Sequence, residues 1–307
     1  MSSSIQLNVP DVGELGEIVN AMCEWQSDGL PVQLHPGDLG WNWQFGPEAV
    51  AAGLRTWVRD GTVLAVGLLD SPQLIRMAIA NGSEDDAALA HQIFDDLTHP
   101  DRGVLPRGEV RVESRFGELL RSLILDKGWV PDELWTPLQR DLSAPVEDCG
   151  LRVEVVGPAL ADVRVALQRA AFATSTFSRE RWNTMAAGVP YESAKCLLAF
   201  DEHGAAVAVA TVWSAGPGRP GLLEPVGVHH DHRGRGYGTA ISVAAAAALR
   251  ALGSSYATVC TTSANVAAVA TYESAGFRAL PQVPDLRRIA WTVVGLENPV
   301  PGAVPFP

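Results

Sequence analysis

Leu222-Leu-Glu-Pro-Val-Gly-Val228, then His229-His-Asp-His232, then Arg233-Gly-Arg-Gly-Tyr-Gly238 is the stretch that decides how this 307-residue chain folds. It reads as an apolar strand that passes through an irregular turn and a glycine-rich loop into a long, Ala-rich helix. That helix is expected from 238 to about 252, with Gly253 in the C-cap position. A strand leading through glycines into a helix N-terminus is built for an anion. Successive backbone N–H groups point into one concavity, and the helix dipole adds partial positive charge. Glycine lets the main chain approach a diphosphate closely because no Cβ intervenes. Arg233 and Arg235 are expected to add charge-assisted donors. A dinucleotide fingerprint would need glycine at position 239, which is Thr, and would follow the first strand of its unit rather than the fourth. A Walker loop would need Gly-Lys-Ser/Thr, which is absent.

Outward from the loop the pattern is regular. Upstream, residues 151–156 alternate as a strand, and 158–172 read as a helix with Pro in its first turn. Residues 178–187 read as a second helix with Ser178 as N-cap. Strand character follows at 195–200, 207–213 and 222–228. Downstream come a strand at 256–260, a helix at about 264–274 and a last strand at 288–294. The tail from 297 to 307 holds four prolines and is expected to form no regular element. The polar stretch Leu142-Ser-Ala-Pro-Val-Glu-Asp-Cys-Gly150 marks the expected domain boundary. Before it a similar order recurs: strands at 62–69 and 73–80, a helix at 83–97, a strand at 109–112, a helix at 116–127 and a strand at 135–142. The chain therefore reads as a tandem duplication, with domains at 1–142 and 151–296.

Arg233-x-x-Gly236-x-Gly238 after a strand, together with Asn265 and Tyr272-x-x-x-Gly276-Phe277, resembles the GNAT superfamily of N-acetyltransferases. The resemblance covers residues 151–295. It implies an α+β fold of two tandem GNAT-like domains, each a mixed, mainly antiparallel sheet flanked by helices. It further implies that acetyl-CoA is the acyl donor, with Arg233, Gly234, Arg235, Gly236, Tyr237, Gly238 and Thr239 holding its pyrophosphate. In that family the strand before the loop bulges apart from its neighbour, so Val226 and Val228 would bond the pantetheine arm. Asn265 belongs to the same signature and is carried over as a cofactor-binding residue. Tyr272 matches the family tyrosine that protonates the departing sulfur, and a phenol is protonated at neutral pH and can donate; the alternative is a Tyr that only packs under Phe277. Glu224 sits where some members keep a carboxylate base. On two-residue alternation it should share a face with Val226 and Val228, and a carboxylate in an apolar strand is costly without a role or partner.

His229, His230 and His232 lack a supporting carboxylate or Cys at helical spacing, so no metal is expected. Cys260 reads as a buried small residue, since a nucleophile would need a lowered pKa. In the first half, Ala80-Asn-Gly-Ser-Glu-Asp-Asp86 stands where the glycine loop should be, and Ile124 stands near the position of Tyr272. Acids at a first helical turn suit the helix but repel a pyrophosphate, so that half is expected to bind no acyl-CoA. Its Trp25, Trp41, Trp43 and Trp57 would either wall the acceptor cleft or pack in a core.

Charge is unevenly spread. Residues 1–150 hold 10 Lys/Arg against 24 Asp/Glu, and residues 151–307 hold 13 against 11, which together give the net −12. A nucleic-acid binder needs a basic footprint that this chain lacks. The acidic half would attract a cationic partner or would simply confer solubility. No run of about 18 apolar residues exists to span a membrane, and neither a signal sequence nor a Cys-x-x-Cys pair is evident, so a reducing cytoplasm is expected. The acceptor that fits is a primary amine on a small cationic molecule, an antibiotic being one candidate. The tandem order is also similar to that of mycothiol synthases, which keeps a cysteinyl-sugar amine open. Protein N-acetylation and a non-catalytic acyl-CoA sensor are the remaining alternatives.

Overall fold

A computed structural model describes residues 4–289, so the expected tail at 297–307 and the expected strand residues 290–294 lie outside the described residues. The first half runs β1 (Gln6–Asn8), α1 (Leu15–Trp25), α2 (Pro36–Asn42), α3 (Pro47–Gly53), β2 (Leu54–Arg59), β3 (Thr62–Ser71), β4 (Leu74–Ile79), α4 (Ala87–Thr98), β5 (Val110–Glu113), α5 (Glu118–Asp126) and β6 (Val130–Asp141). The second runs β7 (Arg152–Val155), α6 (Ala161–Ala171), α7 (Arg179–Ala186), β8 (Ala194–Phe200), β9 (Ala206–Trp213), β10 (Gly221–Val228), α8 (Tyr237–Ala251), β11 (Tyr256–Thr262), α9 (Val266–Ser274), β12 (Arg278–Ala279) and β13 (Val283–Arg288).

The expected mixed, mainly antiparallel sheets flanked by helices are present, and they join edge to edge in the order β1-β2-β3-β4-β5-β13-β6-β11-β10-β9-β8-β7, with β12 on β6. The parallel pairs are β4–β5 and β10–β11, each connected through a helix, as parallel strands require. The halves exchange strands where they meet. β6 runs antiparallel to β11 from Tyr256↔Asp141 to Thr262↔Trp135, while β13 returns to lie between β5 and β6.

Local chemistry explains most boundaries. Ser178 caps α7 by accepting from the Arg181 N–H at 3.2 Å. α4 begins at Ala87 rather than 83, because Asp86 stays extended and its side chain accepts from the Leu89 N–H at 3.0 Å. β6 starts five residues before the expected strand, and β13 ends at Arg288 where a strand was expected to begin. Pro131, Asp132 and Glu133 look like a turn, yet Asp132 is paired with Arg287 of the adjacent β13 at 3.0 Å and with Arg111 of β5, one strand further, at 2.5 Å. Paired charges let a polar sequence run as strand.

α8 buries Ile241, Ala245, Ala246 and Leu249 against the second-half sheet, the helical spacing that its sequence carries. Trp25, Trp43 and Trp57 pack in first-half cores, with Trp57 Nε1 donating to Asp96 at 2.9 Å. Trp41 crosses to the other half and stacks on Phe177 at 5.4 Å. Short α2 holds the halves together: Gly37 and Gly40 lie against the Trp213 ring, where any Cβ would overlap it.

Candidate active site

β10 and β11 pair only at Gly221↔Ala257 and Leu222↔Thr258, and then diverge. On its other edge β10 skips register against β9 between Leu223 and Val226, so Glu224 and Pro225 form a bulge. The wedge between the strands opens into a cleft of about 460 Å³. Val226, Val228, Arg233, Gly234, Gly236, Tyr237, Gly238, Thr239, Asn265 and Tyr272 all line it. Arg235 is exposed and lies outside that lining.

The loop's main chain is free. Among the described residues none accepts a hydrogen bond from the N–H groups of residues 234–239, and α8 has no side-chain cap. Those amides stand at the positive end of a fifteen-residue helix. Gly234 and Gly236 adopt φ of +74° and +83°, a conformation that side chains resist. Gly238 lets α8 close on α9, since a Cβ there would come within 2.9 Å of Thr271. Arg233 also holds the loop in place. Its Nη2 donates to the Ala171 carbonyl at 2.8 Å, and His230 Nδ1 bonds the Ala170 carbonyl at 2.8 Å, so both pin the loop to the end of α6. Asn265 Oδ1 accepts from the Ala268 N–H at 3.2 Å and caps α9.

Tyr272 lies on α9 at the inner end of the cleft, 8% exposed, with its ring 5.8 Å from that of Phe277. It both packs and faces the cleft. Burial first, then the nearby Glu224 and Cys260, push its phenol well above the ordinary tyrosine range, so it holds its proton at any physiological pH. Burial likewise raises the Cys260 thiol to about 11, the opposite of what a nucleophile needs.

Glu224 differs from expectation. The bulge breaks the two-residue alternation, and Glu224 is absent from the lining that Val226 and Val228 share. Trp213 Nε1 fixes this turn by donating to the Glu224 carbonyl at 2.6 Å. The carboxyl lies within electrostatic reach of Asp38, Arg76, Asp70 and Glu113 of the first half and of Tyr272 in the cleft. Burial, then Asp38, push it up to about 7, with Arg76 opposing. Arg76 on β4 is shared between Asp38 of α2 at 2.8 Å and Glu113 of β5 at 3.0 Å, and Arg115 joins Glu113 at 3.2 Å. None of these first-half residues was anticipated. One signal was available: Arg76 is a lone charge inside the apolar run Leu74–Ile79, which calls for a buried partner.

His229, His230 and Asp231 place ligand-type atoms within 4.8 Å of one another. His229 Nδ1 accepts from the Asp231 N–H at 3.2 Å and His230 Nδ1 is held by Ala170, so two ring nitrogens already serve the loop. In the first half, residues 80–86 form turns and Asp86 pairs with Arg59 at 2.6 Å, while Ile124 is fully buried.

The sequence pattern of the Acetyltransferase (GNAT) family matches residues 161–277, from the start of α6 through Phe277. This segment is a GNAT domain. Among solved structures, a GCN5-related N-acetyltransferase from Sphaerobacter thermophilus is 18% identical with a TM-score of 0.53, covering 92% of this chain and 95% of its own. A GNAT-family acetyltransferase from Colwellia psychrerythraea is 15% identical with a TM-score of 0.57, covering 92% and 98%. A tandem GNAT protein from the clavulanic acid biosynthesis pathway is 16% identical with a TM-score of 0.55, covering 94% and 99%. At such identities the likeness establishes the tandem GNAT fold and nothing finer. No curated protein matches the chain. Among the described residues no helix is long and apolar enough to cross a membrane.

Proposed function

We propose that this protein is an N-acetyltransferase that moves the acetyl group of acetyl-CoA directly to a primary amine of a small, cationic molecule. The observation that carries the reading is the row of unengaged N–H groups at 234–239, set on the α8 N-terminus and opening on the cleft beside Val226 and Val228. Had the protein's own carbonyls occupied those amides, the loop could not grip a diphosphate. In this reading Gly234 to Thr239 hold the pyrophosphate, the unpaired edge of β10 takes the pantetheine, and acetyl-CoA supplies the thioester.

Acyl transfer needs an amine freed of a proton and a thiolate that leaves with one. Glu224, with its carboxyl near 7, takes the ammonium proton through a water molecule and returns it to solvent. The amine then attacks the thioester carbonyl; as the carbonyl re-forms and the C–S bond breaks, Tyr272 donates its phenolic proton to the departing sulfur, and the proton lost from the attacking nitrogen returns to the phenolate through water. Residues 1–142 bring no second glycine loop and would act through the residues that they set around Glu224.

The test is thiol release from acetyl-CoA across a panel of amines, with wild type, Tyr272→Phe and Glu224→Gln run side by side. Acceptor-dependent release that both variants lose supports the reading. Tight CoA binding without turnover on any acceptor replaces it with an acyl-CoA sensor, and no CoA binding overturns it entirely.

A further inference from the structure

β10 leaves β11 after Leu222, and the cleft opens beyond that point. Two backbone carbonyls flank the parting, those of Pro220 and Glu224, and each accepts a ring N–H. His35, the N-cap of α2, takes the Gly37 N–H on Nδ1 at 2.9 Å, so its proton sits on Nε2, which donates to the Pro220 carbonyl at 3.2 Å. Burial lowers His35 to about 4, which keeps the ring neutral and this tautomer in place. Trp213 of β9 donates its Nε1–H to the Glu224 carbonyl at 2.6 Å, inside the bulge. The Trp213 ring is 1% exposed; it meets Tyr191 edge-on at 5.9 Å and is covered by α2 at Gly37 and Gly40.

α2 is itself tied down, at a place that mirrors the cofactor edge. β4 is the first-half counterpart of β10, since each runs parallel to the strand that follows its crossover helix. Pairing of β4 with β5 ends at Arg76, and past it the edge away from β3 corresponds to the edge that β10 presents beside Val226 and Val228. In β4 that edge is taken. The Leu34 N–H donates to the Met77 carbonyl at 3.2 Å, and the Gln33 side-chain amide accepts the Ile79 N–H at 2.9 Å and donates to the Ile79 carbonyl at 3.4 Å. Gln33, Leu34 and His35 are all buried. One strap, from Gln33 through α2, thus fills the cleft edge of its own half and braces the strand of the other. Backbone groups left unpaired seek partners. Without the indole, the Glu224 carbonyl finds one by continued pairing of β10 with β11, which closes the wedge.

We propose that Trp213, braced by α2 of the first half, is a positioning residue: it fixes where β10 parts from β11 and so keeps open the main-chain edge that takes pantetheine. Trp213 is absent from the cleft lining and acts through the strand. The proposal rests on the acetyl-CoA reading and gives the half without the glycine loop a mechanical part in it.

The experiment uses the full chain and two ligands that differ only in pantetheine, dephospho-CoA and ADP, each titrated by calorimetry. Wild type is compared with Trp213→Phe, Gly40→Ala and Trp57→Phe. Trp57 is the control, a fully buried tryptophan whose indole donates to Asp96 at 2.9 Å in the first-half core. At the usual net worth of a neutral hydrogen bond, Trp213→Phe should weaken dephospho-CoA about 3- to 10-fold and leave ADP within about twofold. Gly40→Ala displaces the ring from the other half and should do the same, and the double variant should lose less than the product of the two. Trp57→Phe should lower the melting temperature and leave both affinities alone. Equal losses for both ligands, or a loss of thermal stability alone in the Trp213 and Gly40 variants, overturns the proposal and leaves the acetyl-CoA reading standing. A wild type that binds the two ligands equally also overturns it. Should Trp213→Phe fail to fold, Gly40→Ala decides by the same outcomes. A wild type that binds neither ligand sinks the acetyl-CoA reading, and the proposal with it.

Discussion

Replacing Glu224 by Gln should make the protein more stable and less active at once, and the two effects share one cause. Burial and Asp38 move the Glu224 carboxyl from 4.5 to about 7. The native state therefore holds this proton more tightly than the unfolded chain does. By linkage its contribution is fully present below about 4.5, declines as pH rises, and is lost once pH passes about 7. At about 1.4 kcal/mol for each tenfold change in acidity, ionising Glu224 costs the fold roughly 3 kcal/mol across that window. Gln keeps the shape and cannot ionise, so at pH 8 the variant should exceed wild type by about 2–3 kcal/mol, and at pH 4.5 the two should nearly coincide. Urea melts at several pH values read this directly. Asp70 and Asp285 also lie above the usual carboxylate range through burial, so the wild-type slope alone is composite, and the difference between the proteins isolates Glu224 together with its coupling to Asp70. In the same variant kcat/KM should fall by about 100-fold or more, and the acidic limb that wild type shows near pH 7 should vanish. A stability difference independent of pH, or a variant that retains that limb, would refute the reasoning.

Tyr272→Phe should lower kcat by about 100-fold with little change in acceptor KM, since the lost hydroxyl acts only as the sulfur departs; stopped-flow thiol detection separates the two constants. Gly236→Val puts a β-branched residue at φ +83° and should weaken CoA binding by about tenfold or more, measured by calorimetry, with little loss of secondary structure by circular dichroism. Acceptor KM should rise several-fold between low salt and about 0.3 M salt, because the acidic excess of the first half attracts the cation over a screened distance; a flat response would remove electrostatic attraction from the account.

The parts of this molecule legible in the sequence are those in which one short segment imposes its own geometry. Glycines at 234 and 236 with positive φ, followed by an apolar helix, fix the loop and α8 whatever surrounds them. Asn265 and Ser178 announce helix starts because a side-chain oxygen two or three residues ahead of a free amide caps it locally. The strand exchange was illegible for the converse reason: Asp132 makes sense in β6 only once Arg287, 155 positions later, lies beside it. Glu224 was half legible. Its residue type was a signal, yet its direction was set by a bulge and by Trp213, and its acidity by Asp38 and Arg76, residues separated from it by more than a hundred positions. The acidity of the first half, read from composition as attraction or mere solubility, thereby acquires a third meaning. Burial first, then Asp38, Asp70 and Glu113, raise Glu224 against the pull of Arg76, toward the pH at which a carboxylate can both accept and release a proton. A half without the glycine loop can thus be indispensable to the proposed chemistry of the other: without its carboxylates and the burial it provides, Glu224 would return toward an ordinary, weakly basic carboxylate.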